Sequence, residues 1–375
     1  MQSLVKILIP RQLFMLLILS TGLLNHVILI PNLLTAAGRD SWLSVILVYP
    51  IAIFFSWLIH FIVKKSPKEG LFSLMKQRLG RVFSTILFIP MMLFLLTSCY
   101  ITLRDLMIWL SAYFLADAPI LMINIILISV CFLVTLGGVK AMAIASGFLL
   151  PIVMLLGFFI AFTNIHHKDP SLLFPVLAEG YAPLMKGAIY GLAGLLEIYV
   201  VILLQPYSQE PIKFRQMFVL LSILTGLILG PLSAAIMEFG PTDAVNFRYP
   251  AYEQWRILSI GEYISNLDFF ALYQWLSGAL IRVGLFMYLL GTFFTSRKQP
   301  YRLNPKLVVV MYLLLFGLMM IKVETFYFYK AVYDYFLPAC MVFFLVQILL
   351  SVVLVLVFNK KGDHLGKDTQ LDSIS

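Results

Sequence analysis

Apolar runs of roughly 20 residues make up most of this chain, and about 20 residues is the length that an α-helix needs to cross a bilayer. Of the 375 residues, 61% are hydrophobic and 12% are charged, and the mean hydropathy is +0.96. Soluble domains are about 45–50% apolar and about 25% charged. Because a soluble core cannot bury so much apolar surface, the sequence predicts an all-α integral membrane protein.

The apolar runs and the loop residues between them predict ten transmembrane helices in a single polytopic domain, residues 1–375, with a tail at 359–375. The first run has no small-residue cleavage site, so we expect it to be retained as a helix. An even number of spans places both termini on one side. The expected spans are at about 10–35, 40–63, 83–113, 118–136, 138–163, 184–207, 213–237, 266–295, 306–322 and 332–358.

Basic residues predict the orientation of these spans. One alternating set of loops and ends contains 18 lysines and arginines, and the other set contains 7. The positive-inside rule then places both termini, and the 359–375 tail, in the cytoplasm. The formal net charge of +9 lies in connecting loops rather than on a folded soluble surface, so it does not indicate nucleic-acid binding.

Three loops are long enough to have structure of their own. The basic segment 66–81 contains regularly spaced apolar residues, which favours a short helix on the anionic lipid surface, with docking to a partner as the alternative. The segments around 164–183 and 238–265 combine prolines with charged and aromatic residues. On the outer side they would cover a site.

Polar and small residues interrupt two of the ten spans. Ser20-Thr21-Gly22 divides the first, and the sixth contains Gly187, Gly191 and Gly194. Backbone groups freed by a helix break cannot face lipid, so such breaks are tolerated where they line a protein or water-filled cavity. We therefore expect broken helices 1 and 6 at a binding site.

The spacing of these breaks suggests an internal repeat. Gly22 and Gly191 are 169 residues apart, nearly half the chain, and they fall in spans one and six of ten. This predicts a five-plus-five inverted repeat, with one unit at about 10–163 and the other at about 184–358. The alternative is that the glycines only let helices pack closely.

Such a site would suit a zwitterion. Free N–H groups after Gly22 would attract a carboxylate, and open carbonyls near Gly191–Gly194 would attract an ammonium, so an amino acid is the expected ligand. Thr97, Tyr100 and Ser277 are candidate polar walls from the third and eighth spans. Each of them can equally bond to a neighbouring helix.

Ionisable residues inside spans are costly and point to function. Glu197 follows Gly194 by three residues and is a candidate for gating or coupling; the alternative is a carboxylate that is paired or held neutral by burial. Arg104-Asp105 and Arg282 are candidate ionic partners.

No metal site, cofactor or enzymatic activity is predicted. Cys99, Cys131 and Cys340 have no metal-like spacing, and His166-His167 lies in a loop without further ligands at metal spacing. The sequence contains no nucleotide-binding loop, nucleophile triad or cofactor fingerprint.

Several segments resemble the spore germination permease family, the B subunits of nutrient germinant receptors related to amino-acid/polyamine/organocation transporters. The resemblance covers almost the whole chain. Its most specific features are Ala-Gly-x-Asp-x-Trp at 37–42 and Phe-Gly-Pro at 239–241, supported by the stretches 30–47, 173–191 and 239–270 and the basic 64–81 loop.

The resemblance implies a transporter-type inverted repeat in a subunit that senses a small nutrient together with A and C partner subunits in the spore inner membrane. By position, Thr21, Gly22 and Gly191–Gly194 correspond to the two unwound ligand-binding segments of the wider superfamily. There an aromatic-Gly-aromatic-acid sequence is frequent, whereas this chain has Gly194-Leu195-Leu196-Glu197. An amino-acid transporter and a scaffold with a vestigial cavity remain the alternatives.

Overall fold

The computed structural model describes residues 7–259, 266–293 and 303–371, and this part of the chain is helical with no β-strand. One isolated bridge joins Leu8 to Ser208. The α-helices are α1 (Pro10–Leu23), α2 (Leu29–Ala37), α3 (Ser41–Lys65), α4 (Gly70–Tyr113), α5 (Ile120–Thr163), α6 (Tyr181–Leu195), α7 (Val201–Leu204), α8 (Phe214–Ala244), α9 (Pro250–Arg256), α10 (Phe269–Phe293), α11 (Pro305–Met320), α12 (Thr325–Ala331) and α13 (Leu337–Leu371).

Seven helical stretches within the described residues are long and apolar enough to cross a membrane, and Pro305–Met320 is a shorter apolar helix. Four of the seven change direction at a glycine in the left-handed region: Gly38 (φ 49°), Gly80 (φ 80°), Gly138 (φ 76°) and Gly240 (φ 78°). Side chains rarely adopt this conformation, so glycine permits the turn. The all-helical membrane fold is confirmed, while the count of ten spans and the inverted repeat stay predictions.

Two helical stretches form the centre of the bundle. In both Tyr181–Tyr207 and Phe269–Phe293, 83% of an apolar segment of 18 residues is buried, compared with 28% in Ile120–His167. Apolar side chains on α5, α11 and α13 remain exposed on the outside, as a surrounding bilayer requires. Residues on the two central stretches therefore face other helices rather than lipid.

The predicted surface helix is the first part of α4. Gly80 (φ 80°) separates residues 70–79 from the remainder of α4. The apolar side of this short helix packs on the protein, because the Phe72 ring lies 4.6 Å from that of Phe88 and 5.5 Å from that of Phe293. Its apolar face is therefore covered by the bundle itself.

The first and sixth spans are irregular, but not at the expected positions. Helix α1 continues through Ser20-Thr21-Gly22 and passes into a π-helical turn, Leu24–Ile28, before α2. Helix α6 continues through Gly191 and Gly194 to Leu195 and is followed by a 3₁₀ segment, Leu196–Val200. Both positions keep helical hydrogen bonding, so the free backbone groups expected at Gly22 and at Gly191–Gly194 are not observed.

Parts of three expected elements lie outside the described residues. These parts are 260–265 of the outer segment 238–265, the last two residues of the expected span 266–295, and the end of the 359–375 tail.

Candidate functional site

A buried ion pair lies at the centre of the bundle. The 3₁₀ segment places Glu197 opposite Arg282 of α10, and both guanidinium nitrogens bond the carboxylate, with Nη2 to Oε2 at 3.1 Å. Arg282 also donates to the Ser20 carbonyl at 3.2 Å and to the Thr102 hydroxyl at 3.2 Å. One side chain thus connects α1, α4, α10 and the segment after α6.

The pair explains how the membrane interior tolerates these charges. The side chains of Glu197 and Arg282 are 0% and 1% exposed. Isolated charges at this depth are costly, whereas a bidentate arginine–carboxylate pair with further hydrogen bonds is tolerated. The paired alternative for Glu197 therefore describes the observed geometry, and its role in gating or coupling stays a prediction.

The glycines of α6 pack against helices rather than open a cavity. A Cβ added to Gly191 would lie 3.0 Å from Val48, and one added to Gly194 would lie 2.5 Å from Leu29 and overlap Asn25. The close-packing alternative therefore describes the geometry at both positions. At both positions, side chains from neighbouring helical segments lie where the side chain of a larger residue would begin.

Asn25 was not identified from the sequence. It lies in the π-helical turn against Gly194, and both polar atoms of its buried amide lack a hydrogen-bond partner among the described residues. A polar residue inside an apolar run is the signal that would have indicated it. Thr21, one turn earlier and also fully buried, lies beside Glu197.

The other predicted polar walls make different contacts. Ser277 donates to the Tyr273 carbonyl on its own helix at 2.5 Å, which is the alternative considered above. Tyr100 packs edge-on against Phe328, with 6.4 Å between ring centroids. Thr97 is exposed on the outside of α4. Neither Tyr100 nor Ser277 lines the cavity between α1, α5, α8, α9 and α10.

A cavity of about 540 Å³ lies between α1, α5, α8, α9 and α10. Of the predicted site residues, Gly22 lines it. Most of its wall is apolar, and it includes three glycines, Gly157, Gly226 and Gly230, at which an added Cβ would meet nothing within 4 Å. Its size is within the range of about 300–1,000 Å³ found for small-molecule sites. We take this cavity as the candidate ligand site.

One end of the cavity is charged. Lys168 follows α5 and Glu238 lies near the end of α8, with 3.7 Å between Nζ and Oε1 and side-chain exposures of 13% and 1%. Lys168 also donates to the Ala161 carbonyl at 2.7 Å. Oε2 of Glu238 has no hydrogen-bond partner among the described residues. The two long loop segments expected to cover a site contribute these two residues.

Helix α9 forms a wall of the cavity. Trp255 donates its indole N–H to Gln274 at 3.0 Å, and Gln274 donates to the Val153 carbonyl at 3.1 Å. Gln254 donates to the Pro231 carbonyl at 2.9 Å. These bonds attach α9 to α10, α5 and α8, so movement of α9 would change the shape of the cavity.

The residues before α9 are held from the other side. Arg248 donates to the buried Asp105 of α4 at 3.0 Å and its guanidinium stacks 3.6 Å from the ring of Tyr329. Burial lowers the pKa of Arg248, but the Asp105 carboxylate and the Tyr329 and Tyr249 hydroxyl groups together outweigh burial and raise this pKa above its ordinary value. Asp105 therefore pairs with Arg248, and not with Glu197 or Arg282.

Arg104 makes a separate connection. Its guanidinium donates to three backbone carbonyls: that of Met319 in the last turn of α11 at 3.2 Å, and those of Ile321 at 3.4 Å and Val323 at 2.7 Å in the connection to α12. Within the described ranges, no group of three or more His, Cys, Asp or Glu side chains is placed to hold a metal ion.

A family model described as spore germination protein matches residues 8–328. The chain belongs to the spore germination permease family. This is a family of membrane permeases and receptors and not of enzymes. Spore germination protein XB of Bacillus anthracis is 37% identical over 351 residues, covering 93% of this chain and 98% of the relative. Spore germination protein KB of Bacillus subtilis (strain 168) is 26% identical over 293 residues, covering 74% and 75% of the two chains.

A solved structure shares the fold at low sequence identity. A mutant of the manganese transporter of Eremococcus coleocola is 16% identical, with a TM-score of 0.50, and the match covers 91% of this chain and 78% of the transporter. The likeness confirms a transporter-type helical fold, as the family resemblance implied.

Proposed function

We propose that this chain is the B subunit of a spore germinant receptor, which binds a small nutrient in the cavity beside Gly22 and transmits binding to A and C subunits. The cavity carries the proposal, since it combines a volume of about 540 Å³ with a charged end, and α9 forms one of its walls. Family membership supports the role in germination. The protein would act in the spore inner membrane.

Sensing requires only that the nutrient prefers one conformation over another. The contacts of α9 offer a physical route: it touches the cavity through Trp255, and the residue pair before it, Arg248 and Tyr249, contacts α4 and α12. A ligand that changes the position of α9 would therefore change the contacts between these helices. No passage of the nutrient through the membrane is needed.

The transporter alternative predicts a different result in one experiment. Purified full-length protein in proteoliposomes is tested for uptake of radiolabelled amino acids, and spores lacking the gene are tested for germination with single nutrients. We expect no concentrative uptake, together with loss of the response to a particular nutrient. Rapid concentrative uptake and unchanged germination of the deletion strain would defeat the receptor proposal.

We also predict that both termini are cytoplasmic, because one set of loops and ends contains 18 basic residues and the other contains 7. The three native cysteines are all buried, so labelling of an introduced cysteine has a low background. A membrane-impermeant maleimide should label His166→Cys from outside and should label Arg78→Cys only after the membrane is opened. The reverse pattern would mean that the orientation is inverted.

A further inference from the structure

We propose that the cavity binds an amino acid with a bulky apolar side chain, whose charged groups meet Glu238 and Lys168. The inference rests on the proposed function and makes the ligand class more specific. It also places the ligand on the side of the first span that carries Gly22 and His26, whereas Asn25 of the π-helical turn faces Gly194 of α6.

One carboxylate oxygen of Glu238 lacks a hydrogen-bond donor among the described residues. Its side chain is almost fully buried, it lines the cavity, and Oε2 lacks a partner in the described part of the chain. The oxygen of the adjacent Asn164 amide is also unpartnered, because Asn164 uses its nitrogen to donate to the Gln254 carbonyl at 2.8 Å. Two buried acceptors without a donor are costly. A ligand ammonium, with three N–H donors, would satisfy them.

Lys168 is the cation next to Glu238. Lys168 has three donors, of which one bonds the Ala161 carbonyl, and its distance of 3.7 Å from Glu238 is longer than a hydrogen bond. It therefore retains a donor for a carboxylate. An α-amino acid has its ammonium and carboxylate on the same carbon, so both groups can reach this adjacent pair at once. A simple amine or a simple acid would satisfy only one of the two.

The rest of the cavity wall is mostly apolar. Beyond the charged end the wall is built from side chains such as Leu150, Val153 and Met154, and an added Cβ at Gly226 or Gly230 would meet open space. Glycine or alanine would leave most of this volume empty. Each additional methylene buried in an apolar pocket improves binding by about 10-fold or more. The cavity therefore favours side chains of the size of leucine or phenylalanine.

The test is direct binding to the purified full-length chain in lipid nanodiscs, with tritiated L-leucine as the probe. Unlabelled L-phenylalanine should compete at concentrations at least about 10-fold lower than glycine or L-alanine. Isopentylamine, which lacks the carboxylate, and 4-methylpentanoate, which lacks the ammonium, should each compete at least about 10-fold more weakly than L-leucine. Equal competition by glycine would overturn the size class, and equal competition by the two analogues would overturn the paired head site.

Three variants locate the site. Glu238→Gln and Lys168→Met should each weaken L-leucine binding about 10-fold or more, since each leaves one charged group of the ligand unpaired. Gly226→Leu should abolish binding by filling the cavity. Gly317→Leu on α11 is the matched control: an added Cβ there also meets nothing within 4 Å, but the residue does not line the cavity.

Each variant is first shown to be monodisperse with a wild-type thermal midpoint. Unchanged binding in folded Glu238→Gln and Gly226→Leu would overturn the proposal, as would a wild-type protein that binds none of the amino acids. These results are independent of the germination assay. A chain that binds leucine through Glu238 but has no role in germination would refute the proposed function alone.

Discussion

Replacement of Arg282 by methionine is expected to lower the free energy of unfolding by about 3–5 kcal/mol, because it leaves the Glu197 carboxylate buried without its partner. The guanidinium also bonds Ser20 and Thr102, so the variant additionally loses connections to α1 and α4. The measurement is unfolding in mixed micelles with an increasing fraction of denaturing detergent, with folded protein followed by gel filtration.

The double variant Arg282→Met/Glu197→Met should recover most of the free energy of unfolding that Arg282→Met loses, since apolar residues often replace a buried ion pair without cost. Arg256→Met is the matched control. Arg256 pairs with Glu253 at 2.9 Å, but its side chain is 53% exposed, so its loss should cost at most about 1 kcal/mol. If the double variant is as unstable as Arg282→Met, or if Arg282→Met behaves like the control, the central pair does not have the assigned structural role.

The membrane fold could be predicted from the sequence because its signal is local. Apolar runs of about 20 residues need no knowledge of their neighbours to be interpreted as membrane helices. The family resemblance led to the same fold, which the family match and the transporter structure confirm. The count of ten spans depends on bends such as those at Gly38 and Gly138, where single residues decide whether one helix or two are present.

The positions of the helix irregularities could not be predicted in the same way. A small residue in an apolar helix has two explanations, a break or close packing, and the choice depends on what the neighbouring helix places against it. At Gly194 the neighbours are Asn25 and Leu29, which are far away in the sequence. The π-helical and 3₁₀ segments lie just beyond the two glycine positions and carry Asn25 and Glu197.

The ion pairs could be predicted from the sequence only in part. The sequence offers Arg104-Asp105 and Arg282 as candidate ionic partners, but only the packing of the helices places Arg282 on Glu197. The charged end of the cavity was harder to predict, since Lys168 and Glu238 are 70 positions apart in the sequence. The expectation that segments 164–183 and 238–265 cover a site indicated the region but not the pair.

Gly194→Ala is expected to destabilise the protein by about 1–3 kcal/mol, the usual cost of adding a methyl group to a filled interior. The added Cβ would lie 2.5 Å from the Leu29 side chain of α2 and closer still to the Asn25 amide in the π-helical turn, so these side chains or the backbone of α6 would have to shift. Gly317→Ala is the control. Its added Cβ meets nothing within 4 Å, and alanine is the better helix former by about 0.5–1 kcal/mol, so its stability should be unchanged or slightly higher.

The same variant separates packing from ligand contact at Gly194. If Gly194 serves helix packing, the nutrient response of Gly194→Ala spores should fall only in proportion to the amount of folded protein, whereas Gly226→Leu should lose the response while folded protein stays at the wild-type level. Both quantities are measured in the same spores, by immunoblotting of the membrane fraction and by nutrient dose-response. A Gly194→Ala protein that accumulates normally but needs a much higher nutrient concentration would instead place the ligand at the contact between Gly194 and Asn25, because the added methyl group would then weaken binding without lowering the amount of folded protein.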